Sequence, residues 1–280
     1  MKRLRCVIMR GGTSKGVFFH KNEVSEDPDE RKRVILRAFG SPDKRQIDGL
    51  GGADILTSKA AIVGPPSRED ADVDYVFGQV GITEPEIDFT TICGNLSAAV
   101  APFAVDEGLV RGKEPGTKVR IFCSEVGRYL ISVVQVKDSK FLPEGDYKVD
   151  GVPGTGSRIS LDFKDTAGLI TGATLPTGNP KDLLKIAGVG NFEVSIVDVA
   201  NVAIFIRAGE LGLKGTESPT EIDRDRKLVG TIEKIRMAVA EMIHLSRELD
   251  SWKRGTSPLL PILAIVREPM PWVNFVTGST

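Results

Sequence analysis

The sequence predicts a fold that mixes strands and helices, and three observations point to it. Short apolar or alternating runs of strand length recur along the 280-residue chain. A few stretches carry helix signals: one is capped, one alanine-rich and one amphipathic. Glycine-rich loops, rather than low-complexity linkers, separate these elements. At this length one large core or two smaller domains are expected.

The elements follow in order. Residues 3–9 and 17–20 read as short strands around a glycine-rich turn. Asp27, Pro28 and Glu30 supply an N-cap, an N1 proline and an N3 acid for a helix to Phe39, with Gly40 as its stop. A second glycine loop, 49–52, leads into an apolar element at 55–63 that Pro65 and Pro66 end. Residues 74–80 and 87–93 alternate as strands, the second feeding a buried helix over 96–108. Pro102 lies inside that helix and should kink it or free a carbonyl. Further β segments are expected at 118–124, 128–137 and 158–163, then a connector rich in glycine and proline through 175–190. A new unit begins with strands at 193–199 and 202–206. One long helix over 220–249 follows, with Leu228, Ile232, Ile235, Val239, Met242 and Ile243 as its core stripe. Strands at 259–266 and 272–276 complete the reading.

Composition narrows the function. The chain is 41% apolar and 27% charged with a net charge of −1, both signs interspersed. Phosphate binding would need a basic stripe, so nucleic acid is not expected as a partner. Nor is a membrane, because no apolar stretch reaches spanning length. The apolar part of the N-terminal segment is too short for a signal peptide, which makes cytoplasm the expected location. Three cysteines (Cys6, Cys93 and Cys123) form no CxxC pair, which fits a reducing compartment. Only His20 and His244 are present, neither in a metal or relay signature, so no metal is expected.

Three loops carry the candidate chemistry. Arg10-Gly-Gly-Thr-Ser-Lys-Gly16 fails as a phosphate loop, because Val17 stands where the lysine should be and a strand follows. As a glycine turn it offers N–H groups, Thr13, Ser14 and the forked Arg10 to a carboxylate, or else is a plain hairpin. In the second loop, Asp48-Gly-Leu-Gly-Gly-Ala-Asp54 leads to Lys59 at the edge of an apolar run. Desolvation makes a lysine a usable base near neutral pH; the alternative is a lysine snorkelling at a strand end. In the third, Cys93 stands just before a helix start, where unpaired N–H groups and the positive end of the helix dipole favour a thiolate and a bound carboxylate; the alternative is a small buried side chain. Together they suggest proton transfer at a carbon next to carboxylates.

Three ordered motifs, Arg10-Gly-Gly-Thr-Ser-Lys-Gly-Val-Phe-Phe19, Ile47-Asp-Gly-Leu-Gly-Gly52 with Thr57-Ser-Lys59, and Cys93-Gly-Asn-Leu-Ser-Ala-Ala-Val-Ala-Pro-Phe103, closely resemble the PrpF family. That family includes 2-methylaconitate, methylitaconate and aconitate isomerases and oxalomesaconate tautomerase. Similarity continues through Leu175-Pro-Thr-Gly-Asn-Pro180, Ser195-Ile-Val-Asp-Val-Ala-Asn201 and Ser257-Pro258. The resemblance implies an α+β fold of the diaminopimelate-epimerase-like kind: two similar domains, each a curved mixed sheet around a central helix, here 1–188 and 189–280. It implies a cofactor-free isomerase moving a proton allylically on a small unsaturated di- or tricarboxylate, with a homodimer as the assembly considered. Lys59 falls on the family's catalytic lysine and Cys93 on its cysteine. Arg10, Thr13, Ser14, Gly51, Gly52, Gly94, Asn95 and Asn201 fall in its substrate loops.

Two departures stand out. Family members continue past the equivalent of Thr280, which implies an incomplete second domain lacking its central helix and exposing an apolar sheet face. Around Asn201 the family's flanking glycine and proline are replaced by Ala200 and Val202, which weakens the case for that loop as a substrate contact. The competing readings are an inactive relative that only binds carboxylates or a protein, and a two-cysteine racemase needing Cys6 or Cys123 opposite Cys93.

Overall fold

The computed structural model describes residues 3–255 and 258–271, so the expected strand at 272–276 and Ser257 lie outside the described residues. The chain divides into two compact units, Met1–Thr166 and Ala167–Thr280. Both are sheet-and-helix units, so the α+β class holds.

The first unit opens with strands β1 (Cys6–Gly11) and β2 (Ser14–His20), a hairpin turning at Gly12 with φ 52°. Helix α1 (Pro28–Phe39) has the bounds its caps predict. The Asp27 carboxylate accepts the Glu30 N–H at 2.7 Å, and Gly40 closes it at φ 71°. Strands β3 (Lys59–Gly64), β4 (Val73–Val80) and β5 (Ile87–Asp88) follow. The expected strand over 87–93 stops after two residues because Asp88 draws Thr90 out of the ladder. Its carboxylate accepts the Thr90 N–H at 2.8 Å and hydroxyl at 2.6 Å.

The expected helix over 96–108 is two pieces, α2 (Gly94–Ser97) and α3 (Val100–Asp106). The break at Ala98–Ala99 lies four residues before Pro102, where the missing N–H and the ring remove the helical bond to Ala98. Strands β6 (Gly116–Cys123), β7 (Arg128–Lys137), β8 (Lys140–Phe141) and β9 (Ser160–Asp162) complete a nine-stranded mixed sheet. Its path runs β1-β2-β3-β4-β6-β7-β8, with β5 on β4 and β9 on β7. Helix α2 touches β1 and β2 while α3 touches β7 and β8 at the far end, so the sheet curls around them. Residues Val100 to Val105 are all buried there. The outer face packs on α1 through Val17, Phe19, Ala60 and Ile62 against Ile35, Leu36 and Phe39.

The second unit begins earlier than the expected boundary after Gly188. The presumed connector contains strand β10 (Asp182–Ile186), which pairs with β11 (Gly190–Val199), and Gly168 N–H bonds the Asp198 carbonyl at 2.8 Å. Strands β12 (Asn201–Arg207) and β13 (Ile262–Val266) complete a four-stranded sheet. The expected single helix over 220–249 is α4 (Pro219–Arg224), α5 (Arg226–Met242) and α6 (Ser246–Lys253). Asp225 restarts the chain by accepting from the Lys227 and Leu228 N–H groups, and His244 at φ 59° breaks it again. Helix α5 covers one sheet face through Ile235 and Val239 against Ile196, Ile204 and Ile206, while Met242 of the expected stripe is 43% exposed. On the other face Leu183, Val199, Phe205, Ile262 and Val266 are exposed. Among the described residues no helix is long and apolar enough to cross a membrane.

Candidate active site

The hairpin between β1 and β2 joins the three candidate loops. Thr13 N–H donates to Asn95 Oδ1 at 3.2 Å, and Lys15 N–H to the Leu56 carbonyl at 2.9 Å. Gly16 pairs in parallel register with Lys59. Close approach demands the glycines. A Cβ at Gly11 would lie 2.5 Å from the Asn95 carbonyl oxygen and 2.9 Å from Leu96 Cα; one at Gly16 would lie 2.7 Å from Leu96 Cδ1. Gly11→Ala must therefore lift the hairpin off α2. It is expected to cost about 1–3 kcal/mol, read as a Tm lower by about 2–4 °C per kcal/mol, with turnover falling too. An unchanged melting curve would show that the hairpin does not need this contact.

Register decides where Lys59 points. Partners in a ladder share a face, so Gly16, Lys59 and Gln79 form one rung, and Phe18, Ala61 and Phe77 the next on that face. Gly16 abuts Leu96 on it, so Lys59 faces the side that carries α2 and Cys93. The lysine is 7% exposed. Its Nζ donates to Gln79 Oε1 at 2.6 Å and lies 5.4 Å from the Phe77 ring centre. Gln79 in turn donates from Nε2 to the Ile55 and Ser58 carbonyls, both at 3.2 Å. The amide orientation follows from that network.

Cys93 is a free, half-buried thiol capping α2. Its Sγ accepts the Leu96 N–H at 3.4 Å, and its carbonyl accepts the Ser97 hydroxyl at 2.8 Å. Because α2 is a single turn, the long-helix dipole expected behind Cys93 is absent. What remains is local: the first-turn N–H groups of the exposed Gly94 and Asn95 have no intrahelical acceptor. Tyr75 lies nearby; burial pushes its hydroxyl well above the usual range, and an anionic Cys93 adds to that. Ser14 is 1% exposed and its hydroxyl has no partner among the described residues, while Arg10 folds back to donate to the Gly12 carbonyl at 2.8 Å.

The 49–52 loop has a structural task. Gly51 N–H donates to the Phe39 carbonyl at 3.2 Å, closing α1, and a Cβ at Gly51 would meet Gln46 Oε1 at 2.1 Å. A Cβ at Gly52 would meet Thr57 Oγ1 at 2.2 Å. Gln46 is buried and its Oε1 accepts from Ala53 N–H and the Ser58 hydroxyl, tying this loop to the residue before Lys59. Asn201 belongs to the second unit, opening β12 directly after Ala200 at φ 61°. Sequence reasoning missed Gln46 and Gln79. Gln79 carried a signal, the polar residue following Tyr75 and Phe77 on one face of an alternating strand.

Cys123 lies at the end of β6, 4% exposed, with its thiol pushed up to about 12, first by burial and then by Asp165. That chemistry does not suit the two-cysteine reading. Among the described residues no cluster of His, Cys, Asp and Glu could hold a metal ion.

Comparison with known proteins finds relatives across the chain. The chain is 48% identical over 278 residues to 3-methylitaconate isomerase of Eubacterium barkeri, covering 99% of this chain and 73% of that one. It is 34% identical over 285 residues to 2-methyl-aconitate isomerase of Shewanella oneidensis, covering 97% of this chain and 71% of that one. A crystal structure of methylitaconate-delta-isomerase superposes with a TM-score of 0.78 at 47% identity, covering 99% of this chain and 71% of the other. The protein is thus an isomerase. It belongs to the PrpF family, whose model, described as PrpF protein, matches residues 1–277.

Proposed function

We propose that this isomerase shifts a proton allylically on a small unsaturated di- or tricarboxylate, with Lys59 as the base. The observation that carries this is the Lys59 amine itself, buried on the face that bears Cys93 and held by a neutral amide instead of a carboxylate. A glutamine partner adds no full negative charge beside the amine, so loss of a proton from it is opposed less than in a Lys–Asp or Lys–Glu pair.

The neutral amine takes a proton from the carbon conjugated to a carboxylate and becomes ammonium. The C–H electron pair passes into the unsaturated system as a dienolate, whose charge rests on the carboxylate oxygens. Donors for that charge are the Thr13, Gly94 and Asn95 loops, the Ser14 hydroxyl and Arg10. Return of the proton to the far carbon moves the double bond. Return to the same carbon after rotation gives cis-trans isomerisation. Cys93 is the second acid/base group or an electrostatic helper. No redox change or net proton uptake occurs.

The relatives' names make methylitaconate the first acid to try, then 2-methylaconitate and 4-oxalomesaconate. Incubation of each in D2O, followed by proton NMR, is expected to show deuterium at an allylic carbon of at least one, with product formed. Absence of both exchange and product with every acid overturns the proposal.

A further inference from the structure

We infer that Gln79 is a positioning residue for Lys59, fixing where its nitrogen points and leaving its proton exchangeable. The inference rests on the base role proposed above. A glutamine amide can rotate and can present either end, but here both directions are settled: Nε2 spans the Ile55 and Ser58 carbonyls, which leaves Oε1 facing Lys59 Nζ at 2.6 Å. The Ser58 carbonyl also accepts the Val80 N–H at 3.1 Å, and the Ser58 hydroxyl is anchored on Gln46 at 2.6 Å. The amide is thus held by loop and strand together, and the lysine by the amide.

The chemistry of the acceptor matters as much as its place. An amide oxygen accepts from the amine and, more strongly, from the ammonium, so it holds the nitrogen through a full proton-transfer cycle without placing a full negative charge beside it. A carboxylate at the same point would favour ammonium and withhold the base. Three of the titratable groups on the neighbouring segments bond elsewhere. Asp88, opposite Gln79 on β5, accepts from Thr90; Asp54 accepts from Leu56; Cys93 accepts from Leu96. Tyr75 lies two rungs along β4, and Lys15 precedes Gly16 on β2.

The test compares kcat and KM against pH for methylitaconate isomerisation by the wild type, Gln79→Leu, Gln79→Glu and Lys59→Ala. Alongside it, Lys59 is titrated by 13C NMR in lysine-labelled protein, its signal assigned by loss in Lys59→Ala. Gln79→Leu is expected to lower kcat about 10–100-fold with KM held within about threefold. Gln79→Glu, nearly isosteric, is expected to move the acid limb of kcat/KM up by about one pH unit or more, and the Lys59 NMR midpoint with it. A residue that only packs would not move either. Should Gln79→Leu fail to fold by circular dichroism, Gln79→Glu decides alone; should no acid turn over, the NMR midpoint decides. An unmoved profile and midpoint in Gln79→Glu overturn the positioning role while an inactive Lys59→Ala leaves the base intact. Full activity in Lys59→Ala overturns the base reading instead, whatever the NMR midpoint does.

Discussion

Replacing Lys59 by alanine is expected to lower deuterium incorporation and turnover by about 10²–10⁴-fold, the contribution typical of a positioned base. The variant also strands Gln79 Oε1, which loses its 2.6 Å partner, at a cost of about 1–3 kcal/mol in stability. A folding control is therefore part of the measurement. Lys59→Arg sharpens the result: it keeps a cation and donors to Gln79, but a guanidinium does not give up its proton at any usable pH. Base chemistry predicts that both variants are inactive in the exchange assay. If arginine supports turnover near the wild-type rate, the lysine acts by its charge and the base assignment is wrong.

The second large effect is one of stability. Phe103 on α3 is 1% exposed, with its ring centre 5.4 Å from Phe18 and 5.0 Å from His20 on β2. Truncation to alanine removes a full aromatic side chain from inside the curled sheet, where the surrounding strands are hydrogen-bonded to one another and cannot easily collapse inward. A cost of about 3–5 kcal/mol is expected. Native-state amide exchange in α3 should accelerate by about two to four orders of magnitude, since each tenfold corresponds to about 1.4 kcal/mol. Acceleration below about tenfold would mean that the central helix does not carry the first unit.

Legibility followed the range of the interaction that decides each feature. Helix α1 was readable to its ends because Asp27, Pro28, Glu30 and Gly40 are local signals that act within a turn. The stop at Ala98 was half readable: Pro102 announced a disturbance, but whether it would kink or split the helix depended on how the sheet holds both pieces. The division at Thr166 was not readable, because β10 is defined by its pairing with β11 and its own sequence resembles a connector. The long helix failed at Asp225 and His244, where apolar periodicity continues across residues whose backbone leaves the helix.

By itself the sequence determined the loops proposed to carry the chemistry, because glycines, a lysine and a cysteine in ordered motifs are properties of residue type and spacing. It also determined membership of the isomerase family, which those motifs carry. Only the tertiary structure decided that the hairpin at Gly11 and Gly16 seats on Leu96, that Lys59 faces the same side as Cys93, and that Gln79 holds its nitrogen. The reason is strand register: one residue of slip would turn Lys59 to the α1 face, and register is set by pairing between segments distant in the chain.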